Sequence, residues 1–145
     1  MCLTIKDRKP IEKNIVCFKV LCRSDTRYTS PYGTSFRWFK GITEIAEPRE
    51  KSTVSPRTHS IGEGFFHAYT SLEKAKKEAS YLNARRYCGN DDIEKYVVCK
   101  MVIPPIAGEV FYGRNYDIAA KRMRFVKEIQ TKKIDILPRL KSWDS

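Results

Sequence analysis

Apolar and polar residues change period along the chain, and the changes mark out one helix among several strands. Asn14–Arg23 reads NIVCFKVLCR, a β-branched and apolar run too short and too unbroken for an amphipathic helix, and it predicts a buried strand. Ser24–Gly33 gathers Ser, Asp, Thr, Pro and Gly and predicts a loop. In Thr34–Lys40 the residues Phe36 and Trp38 alternate with Arg37, the pattern of a half-buried strand, and Ile42–Ala46 extends it. Glu47–Ser60, polar and holding Pro48 and Pro56, predicts a long exposed loop. Gly62-Glu63-Gly64 leads into a strand at Phe65–Tyr69.

The period then lengthens. Leu72, Ala75, Ala79 and Leu82 form one stripe of a helix over about 71–87, with Lys74, Lys76, Lys77 and Glu78 on the wet side. Thr70 and Glu73 have capping-box spacing, and Cys88-Gly89-Asn90 supplies the stop. Lys95–Ile103 predicts a strand closed by Pro104-Pro105, and Gly108–Gly113 a short one. Tyr116–Ala120 suits a helical turn and Arg122–Ile129 a last strand. Residues 130–145 are expected to dock as a tail on a single domain spanning 1–145, through Ile134, Ile136, Leu137, Leu140 and Trp143. This order predicts an α+β domain: a mostly antiparallel sheet with one main helix, with room for one parallel pairing across Gly64–Ile103.

Composition narrows the class. A chain of 145 residues buries enough surface to fold without a metal or disulfide staple. Met1–Lys13 is dense in charge and lacks the apolar stretch of a secretory signal, which predicts a cytoplasmic protein. The five cysteines form no C-x-x-C pair, and Cys17, Cys22 and Cys99 read as small core hydrophobes in a reducing cell. No apolar run is long enough to span a bilayer as a helix, so no membrane partner is expected. The two histidines, His59 and His67, have no metal-ligand spacing, and neither a phosphate loop nor a G-x-S-x-G elbow occurs.

The net charge of +11 predicts an anionic partner, a nucleotide or nucleic acid. The candidates for anion binding are Lys74, Lys77, Arg85 and Arg86 along the helix, and Arg122 and Arg124 in the last strand. The same charges also suit a solvated helix face that keeps the protein soluble.

The stretch IGEGFFHAYTSLEKAKKEASYL (Ile61–Leu82), with Lys95–Pro104, Glu109 before VFYG, and YDIAAKRMRFVKEI, resembles the ADP-ribosyltransferase superfamily, in particular the rifampin ADP-ribosyltransferases. The resemblance covers residues 61–129. It implies an NAD-using transferase. Arg23, Phe66, His67 and Tyr69 would then hold the cofactor, with Phe66 or His67 stacking on nicotinamide and Glu109 as the catalytic carboxylate. The family's His-Gly pair is missing, which leaves Arg23 alone to hold the cofactor from the first strand. The N-terminal segment and the G-F-x-A-x-T-S-L-E-x-A type stretch also resemble small proteins of gut bacteria and their phages, which implies bacterial or phage origin and assigns no activity. Read from the residues alone, Phe65, Phe66 and Tyr69 are core, His67 is a half-buried histidine, Glu109 is an exposed carboxylate and Arg23 is a strand-end cation. Three functional expectations therefore stand: a basic domain binding an anionic ligand, an NAD-dependent ADP-ribosyltransferase-like enzyme, and a phage–host protein-interaction module marked by an apolar patch at Trp38, Phe39 or Trp143.

Overall fold

The computed structural model describes residues 3–30, 37–46, 60–61, 65–85 and 94–129. In chain order these form β1 (Leu3–Pro10), β2 (Ile15–Ser24), β3 (Arg27–Thr29), β4 (Arg37–Trp38), β5 (Thr43–Ile45), β6 (Ser60–Ile61), β7 (Phe66–Tyr69), α1 (Leu72–Arg85), β8 (Glu94–Ile103), a 3-10 turn (Pro105–Ala107), β9 (Glu109–Gly113), β10 (Asp117–Ala120) and β11 (Arg122–Ile129). The strands join in the order β5-β11-β8-β2-β7-β10-β9-β1-β6, with β3 and β4 continuing as a ribbon from β2. Every pairing of named strands is antiparallel, and among the described residues the parallel contact is an isolated bridge, Lys40 to Phe125. The fold is α+β, a mostly antiparallel sheet with one helix.

The expected strand–helix–strand unit is present, but its strands do not pair. β2 lies between β7 and β8 and runs antiparallel to both. Against β8 it is in register from Ile15 to Ser24; against β7 it pairs only at Phe18–Tyr69. The sheet therefore splays beyond Phe18, and β3 takes up the freed edge at Cys22–Ser24.

Strand alternation sorts the apolar residues onto two faces. The inner face carries Cys17, Leu21, Phe66, Cys99, Met101, Ile118, Met123 and Phe125, and Trp38 closes over it from β4. On the outer face, α1 lays Ala75 and Ala79 over Val20, Tyr69 and Val98, with Leu72 and Leu82 completing the predicted stripe. A smaller outer cluster joins Phe65, Phe111 and Ala119. Cys17 and Cys99 are fully buried free thiols and Cys22 is half-buried on the opposite face, in keeping with their reading as core residues.

The local structure differs from the sequence reading at five places. The charged N-terminus holds β1, whose side chains are mostly exposed, so it shows no apolar period to read. Ser24–Gly33 is not all loop: Asp25-Thr26 makes a two-residue turn, with Asp25 at a positive φ of 58°, and β3 follows. Tyr116–Ala120 is no helical turn. Asn115 and Tyr116 both take positive φ, and the Asp117 amide donates to the Arg114 carbonyl, so a tight hairpin turn joins β9 to β10. The helix is capped by Ser71, whose hydroxyl accepts from the Lys74 amide at 3.2 Å, while Thr70 donates its hydroxyl to the Tyr116 carbonyl. Ser60, expected in a loop, pairs with Thr4. Gly62, Gly64, Arg86, the helix stop at 88–90, most of the 47–60 loop and the 130–145 tail lie outside the described residues.

Candidate functional site

The splay of β2 from β7 has a direct chemical consequence. Lys19 shares the inner parity of Cys17 and Leu21, and its ammonium donates to the His67 carbonyl at 2.6 Å, across the gap where a strand ladder is missing. An unpaired carbonyl there would be costly, so the lysine stands in for the absent amide. Its ammonium lies far enough inside for desolvation to lower its pKa from 10.5 to about 8, partly offset by the charge of Cys17. Burial pushes the Cys17 thiol up to about 12, with Lys19 opposing, and pushes the Cys99 thiol up as well. Buried, high-pKa thiols make poor nucleophiles.

Further along β2 the inner face opens. Arg23 donates through one nitrogen to both Glu128 oxygens, at 2.8 and 2.9 Å, and the Tyr28 hydroxyl donates to Glu128 at 3.1 Å. Burial first, then this carboxylate, raises the Tyr28 pKa. Tyr28 packs edge-on against Phe125, at 4.8 Å between ring centres, and Trp38 lies against Phe66 at 4.6 Å while its indole N–H donates to Ser30. Above this floor lies a groove of about 860 Å³ lined by Arg23, Asp25, Thr26, Tyr28, Arg37, Trp38, Phe39 and Lys40. Its volume is that of a small-ligand pocket.

The lining mixes cations with aromatic rings. Arg37 lies over the Phe39 ring at 4.6 Å, and Phe39 is 47% exposed. Lys40 bridges to Phe125 and borders the Arg23–Glu128 pair closely enough for both Lys40 and Arg23 to act electrostatically on Cys99. Among the described residues, Arg37 and Lys40 form no ion pair, whereas Arg23 does. Of the groove's charged residues, only Arg23 was anticipated from sequence. The missed signal was present: Arg37-Trp38-Phe39-Lys40 interleaves cations and aromatic rings, the composition of a nucleic-acid groove. Read as a half-buried strand, it accounts for Trp38 but not for Phe39.

The residues implied by the transferase resemblance are not brought together. Arg23 has the inner parity of Leu21 and is held by Glu128. Glu109 is next to Val110, an inner-face residue, so it turns outward, where it accepts from Arg8 at 2.8 Å with its side chain 47% exposed. Three strand steps also separate them along the sheet, from β2 across β7 and β10 to β9. Phe66 packs under Trp38, and His67 faces the other side with Ala119. Tyr69 lies beneath α1, its pKa pushed up to about 12 by burial and then by Glu78 and Asp117. No single cleft holds Arg23, Phe66 and Glu109.

The anion-binding candidates separate as well. Lys74 is committed: it donates to the Asn115 carbonyl, sits 3.5 Å from Asp117 and lies over the Tyr69 ring. Arg85 lies over Tyr81 and donates to its hydroxyl at 2.9 Å. Lys77 is exposed on α1. Arg122 and Arg124 sit on β11 with outer parity, opposite Ile45 and Thr43, and form no ion pair among the described residues. Trp38, named as part of an apolar docking patch, is 2% exposed, and Trp143 is outside the described residues.

No protein-family model matches the chain, and no curated protein or solved structure matches it either. Among the described residues, no helix is long and apolar enough to cross a membrane.

Proposed function

We propose that this protein binds an anionic nucleotide or single-stranded nucleic acid in the groove beside the β2–β3–β4 ribbon. The observation that carries the reading is the placement of Arg37 on Phe39, with Lys40 alongside, over a concave floor. A guanidinium stacked on an exposed ring is a flat cationic platform on which a base can lie, and Arg37 and Lys40, which form no ion pair among the described residues, meet its phosphate. Asp25 is the acid on the rim, opposed by Arg23, Arg37 and Lys40, so the lining is net positive. The Arg23–Glu128–Tyr28 network holds the floor rigid, which limits the ordering cost of binding.

The test is fluorescence anisotropy of a labelled short oligodeoxythymidylate titrated with the protein at stepped salt. Binding should weaken steadily as salt rises. Phe39→Ala should cost one stacked base, about 1–3 kcal/mol or roughly 5- to 150-fold in Kd. Binding by the parent chain that Phe39→Ala leaves unaltered would overturn the reading, as would no binding at low salt. The ADP-ribosyltransferase-like alternative draws no support from the groove, since Glu109 lies on the other face of the sheet.

A further inference from the structure

We infer that the bound polyanion does not end in the groove. It continues around the β5 edge of the sheet onto the outer face of β8 and β11, where Arg124, Lys127, Arg122 and Lys100 form a track for the phosphates of a single strand. The inference rests on the groove reading above and extends it from a nucleotide to a strand.

The groove rim is attached to β11 itself. Lys40 bridges Phe125, and the Gly41 amide donates to the Phe125 carbonyl at 2.8 Å. Phe125 points inward to the core, so its neighbour Arg124 has the opposite parity and faces outward. A chain leaving the groove past Lys40 therefore meets Arg124 next.

The outer face beyond it is cationic. Arg122 and Arg124 are two residues apart, roughly 6.6 Å along a strand. A bulge at Val126 resets the register, so Lys127 stands opposite Lys100 on β8. Like charges directly opposite each other destabilise a sheet. Nothing among the described residues offsets the cost: none of these four cations takes part in an ion pair. Among the described residues the cluster is thus without an acidic partner, and it becomes favourable once phosphates lie on it.

Val16 and Ile45 on the same face are about half exposed, a feature that an anionic lipid surface could also use. Continuity with an aromatic groove, which a lipid headgroup does not need, favours nucleic acid.

The experiment compares two labelled probes, a trinucleotide of thymidylate and a fifteen-nucleotide oligothymidylate, on the full chain and on Arg124→Gln/Lys127→Gln. Circular dichroism confirms the variant's fold, and Arg122→Gln serves as a second, single-site variant. The long probe should bind the parent chain more tightly than the short one. The double variant should lose about tenfold or more on the long probe and less than about twofold on the short one. Its salt slope should fall by about 1.4, the value for two lost single-strand phosphate contacts. Equal affinities of parent and variant for the long probe would overturn the inference and leave the groove reading standing. Failure of the parent chain to bind either probe would instead overturn the groove reading. Vesicles of phosphatidylserine and phosphatidylcholine that retain the parent chain but not the variant, with no oligonucleotide bound, would reassign the track to lipid and overturn the inference.

Discussion

The helix α1 and the groove use positive charge in opposite ways. On the helix side, Lys74 is drawn to Asn115 and Asp117 and Arg85 to Tyr81, so these cations fasten α1 and a hairpin turn to the body. On the groove side, Arg37 and Lys40 have no acidic partner among the described residues and sit beside exposed aromatic surface. In the sequence the two sets look alike, as lysines and arginines spaced among apolar residues. What separates them is which acids and carbonyls the fold brings within reach. Net charge attracts a polyanion in general, but only uncommitted cations can bind one.

Trp38 lies between the groove and the core. It is 2% exposed, packed at a tilt against Phe66 and tied to Ser30. Trp38→Ala should cost about 3–5 kcal/mol in urea unfolding. A loss below about 1 kcal/mol would mean that the ribbon does not pack on the sheet as described.

Lys19 marks where the faces diverge, and its effect has a definite sign. Its pKa is lower in the folded chain, about 8, than the ordinary 10.5. Below about pH 8 both states hold the proton and the cost of burying it is fully present. As pH rises toward 10.5 the unfolded chain keeps a proton that the folded chain has released, so folding is favoured. The Cys17 thiol works the other way, since its pKa rises from 9.0 to about 12 on folding and stability is lost as pH passes 9.0. Comparing the parent chain with Lys19→Met removes the thiol contribution. The parent should gain about 1 kcal/mol on the variant between about pH 7 and pH 9. Parallel pH profiles would show that the ammonium is not desolvated.

The helix side gives a smaller effect of similar clarity. Ser71→Ala should cost about 1 kcal/mol through the lost cap, and Thr70→Ala less, because Thr70 bonds a neighbouring turn and not the first helical amides. The reverse order would restore the Thr70–Glu73 capping box. The smallest change is expected at Glu109, whose bond to Arg8 is exposed at both ends. Glu109→Ala should move stability by less than about 0.5 kcal/mol and leave nucleotide binding intact. A thermal shift with NAD that Glu109→Ala abolished would return the transferase reading to the front.

Where burial dictated the period, the fold could be read directly. β2, β8, β11 and the stripe of α1 appear close to the positions their apolar residues predicted. β1 and β10 were hidden for two separate reasons. β1 is an exposed strand with charged side chains, and the hairpin before β10 turns on Asn115 and Tyr116 at positive φ without a glycine to announce it. The site was legible only in part. Arg23 was singled out, but its partner Glu128 is 105 positions away, and pairing across three strands leaves no local trace. Phe39 and Lys40 were in view as sequence; their common groove depends on how β4 crosses the inner face.

The most direct test sets matched charge reversals against each other. Arg37→Glu/Lys40→Glu and Lys76→Glu/Lys77→Glu change the net charge by the same amount, the first in the groove and the second on α1. With a short labelled oligothymidylate at fixed low salt, the groove variant should lose about tenfold or more in affinity while the helix variant stays within about threefold of the parent chain. Equal losses in the two variants would contradict the account, because binding would then follow the overall field and not the groove.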